Sequence, residues 1–412
     1  MIRLQVLPAA CGDCLWLEYG TPEAARIVII DGGLRATASV LHQRLDAARR
    51  QRNVDTLDVE LLVVTHIDND HILGAIELLA TAPPWLRIKD IWFNGRPQLM
   101  RLPTPTADTG RTRPPPADHP ADLMGDADAA AGEDDSTDDP AALRSAADLL
   151  GRQQADDLSN LLATRRLPWN RDPIWQGEAI RLPDNGDLPV VTLDGDLRLT
   201  LLGPTLERLY ALCAKWSDVL GGTDEPIASA AAGPADLLGR RDNWPPQWRD
   251  GEQGDPSAAN GSSIMLLAEY GAHTLLLPGD GHAPDLAAAL GRVCRERRAP
   301  DGRLPLAAFK LSHHGSDNNL TRAVLERVDC RRYLVSTDGS SHRHPDQQAL
   351  LRILRYSKGT PELHFNYAVG TTLPWRDSKS DVLDADRVGV ALDDYATRFP
   401  DDPADGLILE LD

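Results

Sequence analysis

The sequence predicts a mixed α/β protein of the α+β kind, a four-layer αββα sandwich in which two sheets pack face to face between outer helices. Two observations lead to this prediction. Strand patterns occur in two separate parts of the chain, and helical patterns follow the strands in each part. Long acidic and proline-rich segments without apolar periodicity interrupt these parts, so we expect long insertions in the sandwich.

The first part, residues 2–95, begins with strands and then alternates strands and helices. Strands are predicted over 2–7, 14–19, 26–31, 60–64 and 88–93, and helices over 35–50 and 70–80. Residues 60–64 form a short, almost wholly apolar run, which is typical of a strand buried on both faces. This run ends abruptly in polar residues, and so marks a sheet edge where a functional site is expected.

The second part, residues 195–366, repeats the arrangement with other sequence. Strands are predicted over 197–202, 264–269, 273–278, 306–311, 331–336 and 362–366, and helices from Thr205 and over 284–297, 319–327 and 346–355. The turn at Tyr270-Gly271-Ala272 predicts a hairpin between two of the strands. Both parts together are interpreted as one domain, residues 1–375.

The segments outside these parts differ in composition. Residues 96–195 are predicted as a partly disordered insertion, because Pro114-Pro115-Pro116 forbids regular structure and the acidic runs lack periodicity. Residues 221–260 form a second irregular stretch. Residues 376–412 are predicted as an acidic C-terminal extension.

The net charge of −19 is concentrated in two segments. Residues 121–160 carry −9 and residues 376–412 carry −7, so the rest of the chain is close to neutral. This distribution excludes a broadly basic protein that coats nucleic acid, but it leaves local binding of a polyanion open. The acidic insertion is a candidate docking or autoinhibitory element for a protein partner.

The chain contains no apolar run of the length that a membrane span requires, and we expect no membrane association. Its first residues enter an apolar strand pattern without a small-residue cleavage site. We therefore expect a cytoplasmic protein.

The strongest functional signal is the segment 65–71, which follows the apolar run of 60–64. Within seven residues it presents His66, Asp68, Asp70 and His71. Imidazole and carboxylate groups are ligands for zinc, manganese or iron, and a turn after a strand can direct all four into one cavity. The alternative interpretation is a solvated acidic turn that caps a helix.

Three further motifs follow predicted strands. They are Gly279-Asp280, the run Lys310 to Ser316 with His313 and His314, and the run Ser336 to Pro345 with His342 and His344. Taken singly, the first is also typical of an ordinary turn, and His342 is typical of a solvated loop. Together with the segment 65–71, they indicate a site at the ends of several strands.

At this point the residues resemble the metallo-β-lactamase fold superfamily, and in particular its ComEC-like branch, named for the soluble domain of a DNA-uptake channel. The resemblance rests on Gly12-Asp13-Cys14, Asp31-Gly32-Gly33, His66 to His71, Asn260 to Ser263, Gly279-Asp280, Lys310 with His313 to Ser316, and His344-Pro345. It covers roughly residues 2–95 and 195–366. The transport function of the channel does not carry over, since membrane segments are lacking.

Two departures concern the ligands. Asp68 stands where the superfamily usually has histidine, and the resemblance to the ComEC-like branch includes this aspartate. Asn260 or Ser262 stands where another histidine is usual. The harder ligands favour manganese over zinc.

The resemblance implies two divalent metal ions, zinc or manganese, that share a hydroxide. His66 and Asp68 would hold one ion, and Asp70 and His71 the second, with Asp280 bridging. His314 is preferred to His313 as the last ligand, and both stay candidates. The resemblance also implies roles for further residues in catalysis, orientation or substrate binding. Asp70 and Lys310 are counted as catalytic, and His344 as the acid for the leaving oxygen or as a phosphate ligand. The others are Asp31, Asn260, Ser262, Ser316 and Ser336.

The function that this site implies is a dinuclear metal-dependent hydrolase, a phosphodiesterase or nuclease acting on nucleic acid or nucleotides. Because Lys and Arg contacts supply most of the affinity for long duplexes, the acidic chain favours single strands or short nucleotides. Two alternatives stay open: a metal-dependent hydrolase of carboxylic esters, lactones or thioesters, and a metal-free interaction module with the same fold.

Overall fold

The computed structural model describes residues 1–21, 24–103, 140–217 and 244–412. Its strands are β1 (Ile2–Val6), β2 (Leu15–Tyr19), β3 (Arg26–Ile30), β4 (Leu57–Val59), β5 (Leu61–Val63), β6 (Leu86–Ile88), β7 (Ile91–Trp92), β8 (Val190–Thr192), β9 (Arg198–Gly203), β10 (Met265–Tyr270), β11 (His273–Leu277), β12 (Leu304–Leu306), β13 (Ala308–Lys310), β14 (Val328–Cys330), β15 (Arg332–Val335), β16 (Glu362–Phe365), β17 (Ala396–Arg398) and β18 (Leu407–Leu411). The helices are α1 (Thr37–Arg52), α2 (Asn69–Ala80), α3 (Arg96–Leu99), α4 (Pro140–Thr164), α5 (Leu206–Ser217), α6 (Ala258–Gly261), α7 (Ala283–Glu296), α8 (Arg322–Leu325), α9 (Gln347–Tyr356), α10 (Pro374–Asp377), α11 (Lys379–Val382) and α12 (Ala385–Val388). Two 3₁₀ turns, Pro300–Gly302 and Ser312–Gly315, complete the set.

Two large sheets dominate the molecule. The first has six strands in the order β18-β1-β2-β3-β5-β7, and the second has eight in the order β17-β16-β15-β13-β11-β10-β9-β8. Each sheet combines an antiparallel portion with parallel pairs: β3 with β5 and β5 with β7 in the first, and β11 through β17 in the second. Loops that follow parallel neighbours leave a sheet at the same edge.

The core residues show how the layers stack. Alternate residues of the first sheet, such as Leu4 and Leu17, join one apolar cluster with the second sheet and with α7 and α9. The intervening residues, such as Trp16 and Ile29, join a second cluster with α1, α2 and α4. The order of layers is therefore helices, sheet, sheet, helices, which confirms the predicted αββα sandwich and is the metallo-β-lactamase fold.

The structure differs from the prediction in the insertion. Residues 104–139, which include most of the acidic residues of the segment 121–160 predicted to dock a partner, lie outside the described residues. Residues 140–164 form helix α4, which lies within the segment 96–195 predicted as a partly disordered insertion. Ala155, Leu158 and Leu162 of α4 are buried against the second apolar cluster, so tertiary packing stabilises a helix with little apolar periodicity elsewhere.

The segment after residue 375 also takes part in the fold. β17 extends the second sheet beside β16, and β18 pairs antiparallel with β1 at the edge of the first sheet. Residues 376–412, predicted as an extension, therefore complete both sheets. Elsewhere, the predicted helix 319–327 is only the four-residue α8, and the predicted strand 306–311 is divided between β12 and β13.

Residues 244–257, which lie in the second stretch predicted as irregular, contain no helix or strand, and 218–243 lie outside the described residues. Among the described residues, no helix combines the length and the apolar character needed to cross a membrane.

Candidate metal centre

The candidate site lies where three strands end at one edge of the sandwich. His66 follows β5 of the first sheet, whereas Asp280 follows β11 and His314 follows β13 of the second. Because β11 and β13 are parallel neighbours, their loops emerge side by side. Packing of the two sheets then brings the loop after β5 against both.

Oδ2 of Asp280 is the centre of this cluster. The Nε2 atoms of four histidines lie around it, at 3.3 Å for His71, 3.7 Å for His314, 3.8 Å for His66 and 3.9 Å for His313. Three of the rings are buried, and the His313 side chain is 24% exposed. Four imidazoles thus converge on one buried carboxylate.

Two of these imidazoles are oriented through Asp31. Nδ1 of His71 lies 2.9 Å from Oδ2 of Asp31, and since a carboxylate only accepts, this nitrogen carries the proton. Thr65 donates its hydroxyl to the same carboxylate oxygen at 2.8 Å, so its Oγ1 accepts from Nδ1 of His66 at 3.0 Å. In their neutral form, both rings therefore present an unprotonated Nε2 to the centre.

The other two imidazoles are oriented in the same sense. Nδ1 of His314 donates to the carbonyl oxygen of Ser336 at 2.8 Å. Asn319 donates its amide to Asp255 at 2.9 Å, which leaves its Oδ1 to accept from Nδ1 of His313 at 3.1 Å. In all four neutral rings, the Nε2 lone pair faces the central carboxylate.

This arrangement fits a divalent cation. Lone pairs that face a carboxylate oxygen repel it unless a positive charge lies between them. The Nε2 atoms of His66, His71 and His314, and Oδ1 of Asp280, are buried and lack a hydrogen-bond partner in the part of the chain that the structure describes. Around a tetrahedral ion with bonds of about 2.1 Å, donor atoms lie about 3.4 Å apart. The observed spacings of 3.3 to 3.9 Å are close to this value.

Three groups of potential ligand atoms among the described residues include His71, and two of them lie around Asp280. His66, His71 and Asp280 offer atoms within 4.8 Å of one another, and so do Asp70, His71 and His314. Oδ2 of Asp70 lies 3.3 Å from Nε2 of His314 and 3.9 Å from Nε2 of His71. Asp280 lies within 4 Å of all three histidines, so the two groups are contiguous.

This grouping differs from the partition that the resemblance implied. His71 was assigned to the second ion alone, but its Nε2 lies in both groups. Asp68 was paired with His66 and lies at the margin of the first group, with Oδ2 3.6 Å from Nε2 of His66 and a third of its side chain exposed. His71 is therefore more central than the sequence indicated, and Asp68 more peripheral.

The electrostatics of the cluster favour positive charge. Burial disfavours the ionised Asp70, but the charges of His71 and His314 outweigh burial and lower its pKa to about 2. Burial also disfavours the charged form of His314, but Asp280 and Asp13 outweigh it and raise the pKa of this ring to about 10. The field at the convergent nitrogens thus attracts a cation, whether a proton or a metal ion.

Lys310 has a different place from the one predicted. Its side chain is buried, its Nζ lies 2.8 Å from Oδ2 of Asp13, and it donates to the carbonyl oxygen of Leu311 at 2.9 Å. Oδ1 of Asp13 lies 3.3 Å from Nδ1 of His314. Lys310, predicted as a catalytic residue, thus holds Asp13 behind His314.

The three predicted serines bond to the backbone. Ser262 donates its hydroxyl to a carbonyl of its own helical turn at 2.6 Å, and Ser316 accepts an N–H from its own turn at 3.4 Å. Ser336 donates its hydroxyl to the carbonyl of Gly12 at 3.0 Å, while its own carbonyl orients His314. Ser336 thus acts on the site through its backbone.

The structure places His344 beside His313, the most exposed of the four clustered histidines, with ring centroids 5.2 Å apart. We call the side of the cluster that carries these two rings the outer side. Nδ1 of His344 lies 3.3 Å from Oδ1 of Asp346. His342 is exposed, with its ring 5.9 Å from that of His344. Asn260, where the superfamily usually has histidine, is buried, and its Oδ1 has no hydrogen-bond partner in the described part of the chain.

Sequence reasoning missed Asp255. Its Oδ2 accepts from Nδ2 of Asn260 at 2.7 Å and lies 3.5 Å from Nδ1 of His313. A single aspartate within the irregular segment 244–257 has no periodicity or spacing that would distinguish it. Asp13 was noted only as part of the resemblance, and no sequence signal indicated that its carboxylate lies behind His314.

Comparison with known proteins agrees with this geometry. The family model of the metallo-beta-lactamase superfamily matches residues 21–145, which include β3, β5 and α2 with their site residues. Among curated proteins, no similar sequence is found. Members of this superfamily are mostly metal-dependent hydrolases, and the histidine and aspartate groups provide the corresponding ligands. The fold and site thus define a candidate metal-dependent hydrolase of the metallo-β-lactamase fold.

Proposed function

We propose that the chain is a dinuclear metal-dependent phosphodiesterase that cleaves nucleotides or single-stranded nucleic acid. The observation that carries this proposal is the pair of contiguous donor groups around Asp280 and His71. Sites with two ions about 3.5–4 Å apart stabilise both the attacking and the leaving oxygen of an in-line displacement at phosphorus. The ComEC-like pattern of motifs described above supports the same reaction class.

The proposed ligands follow from the two groups. His66, His71 and Asp280 would hold one ion, and Asp70 and His314 would complete the site of the second, with zinc or manganese as the metal. Cations held there supply Lewis-acid activation of water and of phosphoryl oxygens.

The chain itself contributes orientation and charge. Asp31 fixes the ring of His71, and Ser336 fixes that of His314, so that neither ring has to reorganise when a ligand binds. The rings of His71 and His314 are buried, whereas the side chains of Asp68, Asp70 and His313 are about a quarter to a third exposed. Incoming substrate therefore meets the site at these three residues.

His344 is the proposed donor of the proton to the leaving oxygen. Oδ1 of Asp346 lies 3.3 Å from its Nδ1, and when the ring carries both protons, Nε2 is the atom that can donate to substrate. The ring lies next to His313 and hence at the outer margin of the cluster. This position suits a group that contacts the departing half of a phosphodiester.

The substrate class follows from charge. With a net charge of −19, the chain lacks the broad basic surface that supplies affinity for long duplexes. Binding through metal ions and a few local donors suits a nucleotide or a short single strand. We keep the protein partner of the acidic insertion as a separate prediction, since residues 104–139 lie outside the described part.

The proposal is tested with purified protein loaded with Mn²⁺ or Zn²⁺. Metal content is measured by mass spectrometry, and hydrolysis is measured on bis(p-nitrophenyl) phosphate and on an acyl thioester. We expect about two ions per chain and preference for the phosphodiester. Asp70→Asn should lose at least one ion and most activity, whereas Asp301→Asn, at an exposed carboxylate paired with Lys358, should retain both.

Preference for the thioester would replace the phosphodiesterase by the carboxylic hydrolase. Folded protein that binds no metal after loading would instead support the interaction module. If the phosphodiester is cleaved, labelled single strands, duplexes and dinucleotides of one sequence then rank the substrates.

A further inference from the structure

The cluster lacks the nitrogen that a histidine at position 260 would supply. Asn260 occupies this position, and its Nδ2 lies 3.4 Å from Nδ1 of His313. Nε2 of His313 lies 3.9 Å from Oδ2 of Asp280. A histidine from another loop thus stands beside the asparagine and faces the same carboxylate.

His313 and His314 are adjacent in sequence but serve opposite sides of the cluster. Nε2 of His314 approaches Asp70 at 3.3 Å, whereas the ring of His313 contacts Asn260. Their ring planes are inclined by 68°. Both residues have left-handed backbone conformations, with φ of 47° and 54°. This conformation is unfavourable for residues other than glycine and asparagine. The strain is a cost of directing both rings toward Asp280.

Asp255 holds the components of this side together. Its Oδ2 accepts from the amides of Asn260 at 2.7 Å and Asn319 at 2.9 Å. Asn319 also donates to the carbonyl of Asp280 at 3.0 Å, so its orientation is fixed and its Oδ1 accepts the proton of His313 Nδ1. One buried carboxylate therefore determines which nitrogen of His313 faces the centre.

We propose that His313 supplies the nitrogen ligand that Asn260 does not, and that Asp255 is the positioning residue of this ligand. The assignment rests on the two-ion site of the proposed function, and it makes both histidines of the pair ligands, one on each side of Asp280. The relation of Asp255 to His313 repeats that of Asp31 to His71: a carboxylate behind Nδ1 and Nε2 at the centre.

A buried arginine supports this arrangement from outside the site. The guanidinium of Arg352 donates to the carbonyl of Gly251 at 3.0 Å and to that of Asp317 at 2.7 Å. It thereby ties the segment that carries Asp255 to the segment that carries Asn319. The two segments hold their relative position although neither is a helix or strand.

The test uses the full chain and measures metal binding rather than activity. His313→Asn keeps a residue that tolerates the left-handed backbone and removes the imidazole, and His313→Gly serves if this variant unfolds. In Asp255→Asn, the new NH₂ group faces a hydrogen-bond donor in either orientation of the side chain. The reason is that Oδ1 of Asp255 accepts from the N–H of Ser257 and Oδ2 accepts from two side-chain amides. Matched controls are the exposed His342→Asn and Asp250→Asn.

Each variant is titrated with Zn²⁺ against a chromophoric chelator and with Co²⁺, whose visible absorption reports the number of nitrogen ligands. The melting temperature confirms that the variant is folded. We expect two equivalents in the wild type, and one equivalent weakened at least 10-fold in the His313 variant. Asp255→Asn should weaken the same equivalent by about 10- to 100-fold and shift the Co²⁺ spectrum. The controls should match the wild type.

Wild-type binding in the His313 variants would overturn the ligand assignment. Weakening in His313→Asn together with wild-type binding in Asp255→Asn would overturn the positioning role. A wild type that binds fewer than two ions would overturn both. Two ions in the wild type without phosphodiester hydrolysis would overturn the proposed function and leave this assignment standing, because its measurement does not depend on activity.

Discussion

Two aspartate–histidine pairs direct imidazoles at the same carboxylate, but they are built into the molecule differently. Asp31 follows β3 and His71 lies in the first turn of α2, and their side chains are 1% and 0% exposed. Asp255 lies in irregular chain and His313 in a 3₁₀ turn, with side chains 5% and 24% exposed. We call the first the deep pair and the second the outer pair.

The difference shows that ligand chemistry and ligand support are separate properties. Both pairs present a lone pair to Asp280, but regular elements and apolar packing stabilise only the deep pair. Local opening is easiest where few apolar contacts hold the backbone. The contact between the outer pair and a bound ion is therefore expected to break more readily than that of the deep pair.

The largest effect is expected at the deep pair. His71 belongs to both donor groups, so His71→Ala should abolish binding of both ions and reduce kcat/KM by more than about 100-fold. Metal analysis and hydrolysis of a phosphodiester check this. His42→Ala is the control, since His42 bonds to Thr81 beyond the other end of α2. Retention of one tightly bound ion would show that the groups do not share His71.

The support behind His314 is tested next. Lys310→Met leaves the buried carboxylate of Asp13 without its ion-pair partner and should lower the free energy of unfolding by about 3–5 kcal/mol. Urea denaturation of the metal-free chain measures this. Adding Asp13→Asn should restore most of the loss, because the uncompensated charge is removed. A double variant as unstable as the single one would contradict the ion-pair explanation.

Metal removal compares the two sides directly. On dilution into a chelator, we expect two kinetic phases. The ion held by His313 should leave at least about tenfold faster than the ion next to Asp70 and His314. Stopped-flow absorbance of the Co²⁺ protein follows both. Asp255→Asn should accelerate only the fast phase. A single phase for both ions would remove the distinction between the deep and outer sides.

The smallest effect is expected where α4 meets the site. A Cβ added at Gly151 would lie 3.2 Å from the carbonyl oxygen of Ile67 and 3.6 Å from Oδ1 of Asp68. The crowding opposes the gain in helix propensity, so Gly151→Ala should change the free energy of unfolding by less than about 1 kcal/mol. Metal affinity should stay within about twofold of the wild type. A larger change in affinity would indicate that Asp68 contributes more to the first group than its exposure suggests.

The sequence was informative where ligands are close together or follow apolar strands. The segment 65–71 and Asp280 could be recognised because a buried strand precedes each, and the αββα fold is confirmed. Asp255 could not be recognised, because its role depends on a tertiary contact between two irregular segments. The ion pair of Lys310 with Asp13 could not be predicted either, because the two residues are distant in sequence. β18 was overlooked because acidic composition around it hid the alternation of buried and exposed residues over 407–411.

The pairing of β1 with β18 has a consequence for synthesis of the chain. Leu4 lies opposite Leu409, so about 400 residues separate the first strand from its edge partner. At a translation rate of about 5–20 residues per second, β1 waits roughly 20–80 s for that partner. During this time the site loops can assemble, while the hydrogen-bonding edge of β1 stays open to other strands. The open edge of β1 thus exposes the nascent chain to mispairing until β18 is made, although the candidate metal ligands from His66 to His314 have already been synthesised by then.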